Sequence, residues 1–150
     1  MNVMTPLLLA FSLSMAVVPV ITLERTACYG SCPVYKITIY DDGKVLYEGT
    51  EYVKQKGKAE GRIEKSELDA LLHEFEKINY LSLDENYTDD PKNCPQQWTD
   101  NPSAITSLNW KGKSKTIRHY YGCRGSSVAE QLTALETRID AVAKTERWIK

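Results

Sequence analysis

Asp100, His119 and Tyr120 are residues whose types could do acid–base chemistry together. Histidine changes charge near neutral pH, and a carboxylate beside it orients the ring for proton transfer. His119 stands among aromatic residues in a strand-like stretch, and Asp100 sits in Thr99-Asp100-Asn101-Pro102. If the two met across a sheet edge, they and Tyr120 would make a hydrolase-type site. No strained serine elbow and no oxyanion motif accompany them. A turn-forming Asp bonding its own backbone is the favoured reading of Asp100. No catalytic residue is therefore assigned, and Asp100, His119 and Tyr120 stand as binding candidates.

Cys28, Cys32, Cys94 and Cys123 carry a second kind of chemistry. An even cysteine count in an exported chain reads first as disulfides, and four cysteines allow three pairings. Cys28–Cys32 with Cys94–Cys123 is favoured. The first pair closes a tight turn in which Gly30 relieves backbone crowding, and the second ties a long loop to the end of the last strand. Crosswise pairing is the alternative. A redox-active pair is usually Cys-x-x-Cys at a helix N-terminus. Here the spacing is Cys-x-x-x-Cys, followed by Pro33 and a strand, so thiol–disulfide exchange by Cys28 and Cys32 ranks behind. A zinc site drawing on His73 or His119 does not match the spacing of paired knuckles. Asp84, Glu85, Asp89 and Asp90 lack the bend glycine of a calcium loop. No metal or cofactor is implied.

The compartment that disulfides require is indicated by the first residues. Residues 7–18 (LLLAFSLSMAVV) are uncharged and almost wholly apolar. They are too short to span a bilayer, which takes about 20 residues, and suit a signal-peptide core. Ser14 and Ala16 have the small-residue spacing of a cleavage site. The expectation is a signal peptide over 1–16, then a single domain over 17–150 exported to the periplasm or extracellular space. No stable membrane span remains after cleavage; an uncleaved anchor is the alternative. Net charge is −1 with scattered Lys and Arg, so nothing points to a nucleic-acid partner.

The elements that must hold these residues follow from periodicity. Strands are expected at 20–25, 34–40 and 45–49, the last running on toward Val53, with a short one at 58–63. Tyr35, Ile37 and Ile39 alternate with Lys36 and Thr38, as a half-buried strand requires. Asp41-Asp42-Gly43-Lys44 marks a hairpin turn. Ser66 is expected to cap a helix with Leu68, Leu71, Leu72, Phe75 and Ile78 on one face. Residues 82–103 fit neither period. A second hairpin turns at Lys111-Gly112 between 104–110 and 114–121. Ser127-Val128-Ala129-Glu130 reads as a capping box opening a helix with Leu132, Leu135, Ile139 and Val142 inward. Trp148 is expected to dock back on the domain. The fold class is α+β: a two-layer sandwich, a four- or five-stranded antiparallel sheet covered by two helices on one face, in the order ββ(β)αββα. The nine Tyr and three Trp read as core plus scattered surface. An aromatic sheet face is the competing reading.

The run Arg25-Thr26-Ala27-Cys28-Tyr29-Gly30-Ser31-Cys32-Pro33-Val34-Tyr35, with Asp42-Gly43 and Tyr47-Glu48-Gly49, resembles the opening of a bacterial domain-of-unknown-function family. Its motif turn is Tyr29, Gly30, Pro33 and Tyr35. Thr99-Asp100-Asn101-Pro102, Lys113-Ser114-Lys115, His119-Tyr120-Tyr121-Gly122, Leu135-Glu136 and Ile139-Asp140 extend the resemblance. It implies a small exported or lipid-anchored single domain and brings no activity. The function read from the sequence is a non-enzymatic binding or interaction module of the cell envelope. Its partner would be an envelope protein or glycan, met on the open sheet face or the 82–103 loop.

Overall fold

The computed structural model describes residues 15–150, so the expected targeting segment lies almost wholly outside the described residues. The element order begins β1 (Pro19–Arg25), β2 (Val34–Tyr40), β3 (Lys44–Glu51), β4 (Gly57–Arg62) and α1 (Lys65–Lys77). It continues β5 (Asn86–Tyr87), β6 (Gln96–Gln97), β7 (Ser103–Trp110), β8 (Lys113–Tyr120), β9 (Cys123–Arg124), α2 (Ser127–Ala143) and α3 (Glu146–Ile149).

The main sheet has seven strands in the order β4-β3-β2-β1-β7-β8-β5, which corrects the expected four or five. The short strand expected at 58–63 forms as β4, whereas β5 lies outside every expected strand. β4 (GKAEGR) offers no alternation of apolar residues, and its pairing with β3 supplies what its own sequence does not. β5 is two residues of the long loop, laid parallel to β8 with Tyr87 beside His119. The other sheet pairings are antiparallel. β6 and β9 form a separate ribbon.

One sheet face is apolar because alternate residues point the same way. Ile21, Leu23, Ile37, Ile39, Val45, Tyr47 and Ile117 are fully buried there, in one core with Leu71 and Phe75 of α1 and Leu132 and Ile139 of α2. The opposite face carries Glu24, Lys36, Glu48, Thr116 and Arg118. Tyr35 and Tyr47 belong to the core, while Tyr40 and Tyr120 lie half-buried on the outer face among mostly polar residues.

Gly43 takes φ +85° in the first hairpin turn. Lys111 and Gly112, at φ +50° and +74°, form the left-handed two-residue turn that matches strand twist. Both caps differ from expectation. α1 is capped at Glu64, because Glu67 Oε2 reaches back to accept the Glu64 N–H at 2.8 Å; Ser66 lies inside the first turn. α2 is capped by Ser126 rather than Ser127, its Oγ accepting the Ala129 N–H at 3.2 Å. Trp148 docks as expected, buried and stacked on Tyr47 with centroids 4.8 Å apart.

Candidate functional site

The inward face of the sheet is largely apolar, Thr106 excepted, until its last row. There the register aligns Gly49, Tyr35, Arg25, Ala104, His119 and Tyr87 across β3, β2, β1, β7, β8 and β5. Ala104 leaves room at the centre, between one cationic and one imidazole side chain. α2 crosses above and contributes Glu136 and Asp140, four residues apart and hence on one helical face.

The result is a chain of hydrogen bonds. Tyr35 donates to Asp140 Oδ1 at 2.8 Å, and Thr145 Oγ1 donates to the same oxygen at 3.0 Å. Arg25 donates to Asp140 Oδ2 through Nε (3.2 Å) and Nη2 (2.7 Å). Arg25 Nη1 also meets the Tyr121 hydroxyl, which donates to Glu136 Oε2 at 2.5 Å. His119 Nδ1 lies 3.1 and 3.2 Å from the two Glu136 oxygens. Glu136 is 0% exposed and His119 2%, positions a charged group occupies only when paired.

Among the described residues no buried side-chain polar atom lacks a partner. Burial raises the Tyr121 phenol above its ordinary pKa, and neighbouring Glu136 adds to this. Tyr35 is raised for the same reason, with Asp140 as the charged neighbour. Both therefore stay protonated and donate. Burial opposes the Arg25 charge, but Tyr121, Asp140 and Tyr35 outweigh it and hold the guanidinium firmly protonated.

Sequence reasoning named His119 but not its acid. The partner is Glu136, and Asp100 is elsewhere: it is exposed, at φ +66°, in the turn before β7. The Asp100–His119 pair of the hydrolase reading is not made. Strand alternation sends Tyr120 to the opposite side from His119. Tyr120 instead shares with Asp100, Asn101 and Tyr29 a cleft of about 450 Å³. Its hydroxyl donates to the Trp98 carbonyl at 2.6 Å. Arg25, Glu136 and Asp140 had one signal in the sequence, namely charge on the margins of otherwise apolar strand and helix faces.

Both disulfides close loops at this end of the molecule. Cys28–Cys32 spans the β1–β2 connection and Cys94–Cys123 ties the long loop to β9. All four cysteines are thereby used. The Cys28–Cys32 turn lies between two strands and not at a helix N-terminus. It presents Tyr29, 93% exposed, and the second loop presents Trp98, 59% exposed. The Arg124 guanidinium packs over the Trp98 ring at 4.8 Å. Adding a Cβ at Gly122 would collide with the Trp98 carbonyl and the Tyr120 ring, so this close approach needs glycine.

The fold and site define a disulfide-closed α+β domain with an interlocked buried ionic row and an aromatic-bearing loop face. The chain belongs to the family described as domain of unknown function DUF6438, whose model matches residues 19–143. No curated protein and no solved structure matches it.

Proposed function

We propose that the protein is an exported, non-enzymatic binding module of the cell envelope whose ligand, an envelope glycan or protein, rests on the loop face around Tyr29 and Trp98. The observation that carries this reading is the exposure of two large aromatic rings on loops that disulfides hold in place. Fixed aromatic rings lose little freedom on binding and bring large contact area. Asp100 and Tyr120 line the adjoining cleft and supply polar groups for orientation.

A non-enzymatic role is favoured by how fully the ionisable groups of the buried row satisfy one another. Export is supported by the apolar leader together with two disulfides, which persist in oxidising compartments. Among the described residues no helix is long and apolar enough to cross a membrane.

The test is binding of the purified protein to envelope material separated into glycan and protein fractions. Tyr29→Ala and Trp98→Ala should each weaken retention by about tenfold, the scale of an interface hot spot, without shifting thermal unfolding. Retention unchanged in both variants would remove the loop face as the binding surface.

A further inference from the structure

A cavity of about 260 Å³ opens at the Arg25 end of the buried row. Pro33, Pro102, Ile149 and the disulfide-bonded Cys32 wall it, and Arg25 and Asp140 supply its polar end. Pockets for drug-sized ligands measure roughly 300–1,000 Å³, so this one suits a single small ring or branched chain.

A guanidinium carries five N–H donors and no acceptor. Arg25 gives its Nε–H and one Nη2–H to Asp140, and one Nη1–H to Tyr121. One N–H on Nη1 and one on Nη2 therefore have no acceptor among the described residues. Asp140 has no matching surplus, since it accepts from Tyr35, from Thr145 and twice from Arg25. Arg25 is 18% exposed and borders the cavity, which is where the spare donors can be reached. The group is also held in place: Asp140 grips one edge, and the Tyr121 ring centroid lies 5.4 Å from Cζ. A cation fixed before its ligand arrives loses little freedom on binding.

We infer that this cavity binds the carboxylate of a ligand that has a small apolar body. The carboxylate takes the two spare N–H groups of Arg25 in charge-assisted hydrogen bonds. The apolar body rests against Pro33, Pro102 and Ile149, and burial of its surface adds to the affinity. A phosphate group fits less well, because its third oxygen and extra charge find no further donor. Asp140 opposes the incoming anion, but its own charge is already spread over four hydrogen bonds. Asp140 therefore acts as the support that positions Arg25. Neither Tyr29 nor Trp98 lines this cavity, so it is independent of the aromatic loop face.

The test is a titration of the ¹⁵N-labelled protein, followed by NMR of its amides and arginine Nε–H groups. One arm uses cyclohexanecarboxylate and the other its neutral analogue, cyclohexanecarboxamide, with chloride holding ionic strength constant. Saturable shifts are expected at Arg25 Nε–H and at the Ile149 amide, with the carboxylate bound about tenfold more tightly than the amide, as charge-assisted bonds require. Ile149→Trp fills the cavity from α3 without touching the hydrogen bonds of Arg25. It should abolish the shifts while the Arg25 Nε–H signal keeps its position, which shows that the Asp140 pairing and the fold survive. Arg25→Lys keeps a cation beside Asp140 but offers three donors in place of five, and should bring the two arms to similar affinity. No saturable shift in the carboxylate arm, an amide bound as tightly by the unaltered protein, or binding unmoved by Ile149→Trp would overturn the assignment.

Discussion

Arg25 and Tyr35 face each other across β1 and β2 and donate to the two different oxygens of Asp140. They flank the Cys28–Cys32 turn, so one helix carboxylate holds both ends of the disulfide-closed connection. Loop position, sheet register and helix docking are thus coupled at a single side chain.

Asp140→Asn should be strongly destabilising. It leaves the Arg25 charge, 18% exposed, without its ion partner. Breaking a buried pair costs about 3–5 kcal/mol, and partial exposure here reduces this to about 2–3 kcal/mol. The double variant Arg25→Met/Asp140→Leu should lose less than Asp140→Asn alone, since no orphaned charge remains. Urea unfolding midpoints at constant slope decide the comparison; a double variant less stable than the single one contradicts this account.

Glu136 sits deeper, and its two substitutions should separate sharply. Glu136→Gln keeps a carbonyl acceptor and should cost about 1–2 kcal/mol, one charge-assisted hydrogen bond. Glu136→Leu strands both His119 Nδ1 and the Tyr121 hydroxyl and should cost about 3–5 kcal/mol. Denaturant titration of the two variants gives the difference; similar costs would show that Glu136 matters only for packing volume.

Alkaline pH should unfold the protein through its buried phenols. Tyr35, Tyr80 and Tyr121 are all raised in pKa, chiefly by burial. A folded-state pKa above the unfolded value stabilises fully below the ordinary phenol pKa of about 10. That contribution is lost as pH rises toward the folded-state values. Tyrosinate absorbance should therefore grow in two stages, the second coinciding with loss of helical circular dichroism. Tyr80→Phe removes one phenol, together with its 2.8 Å bond to Thr106, and should reduce the second stage. A single smooth titration with the fold intact would count against the buried placement of these rings.

The two disulfides should differ in weight. The Cys94–Cys123 bridge closes a separation of 29 residues and Cys28–Cys32 one of 4. Chain entropy assigns about 3.6 kcal/mol to the longer and about 2 kcal/mol to the shorter. Paired Cys→Ser variants, compared by thermal unfolding, should keep that order. The Cys94/Cys123 variant should also quench the fixed environment of Trp98, visible as a red-shifted fluorescence component.

Periodicity in the sequence was enough to place most of the scaffold. Alternation along 34–40 and the three- and four-residue steps of Leu68 to Phe75 each name an element, because burial on one face imposes its period on the chain. The cysteine pairing also emerged, since one pair closes a tight turn and the other tethers a loop.

What the sequence by itself could not decide is which polar residues turn inward. His119 meets Glu136 rather than Asp100 because β7–β8 register puts it opposite Ala104 while α2 crosses at that row. Arg25 becomes an interior cation only where Tyr35 of β2, Tyr121 of the turn after β8 and Asp140 of α2 converge on it. β5, which no strand expectation covered, is a strand because the open sheet edge at β8 offers it backbone partners, not because its residues prefer it. Local pattern fixes the face a residue occupies; the register between distant segments fixes its neighbours, and in this protein the neighbours make the site.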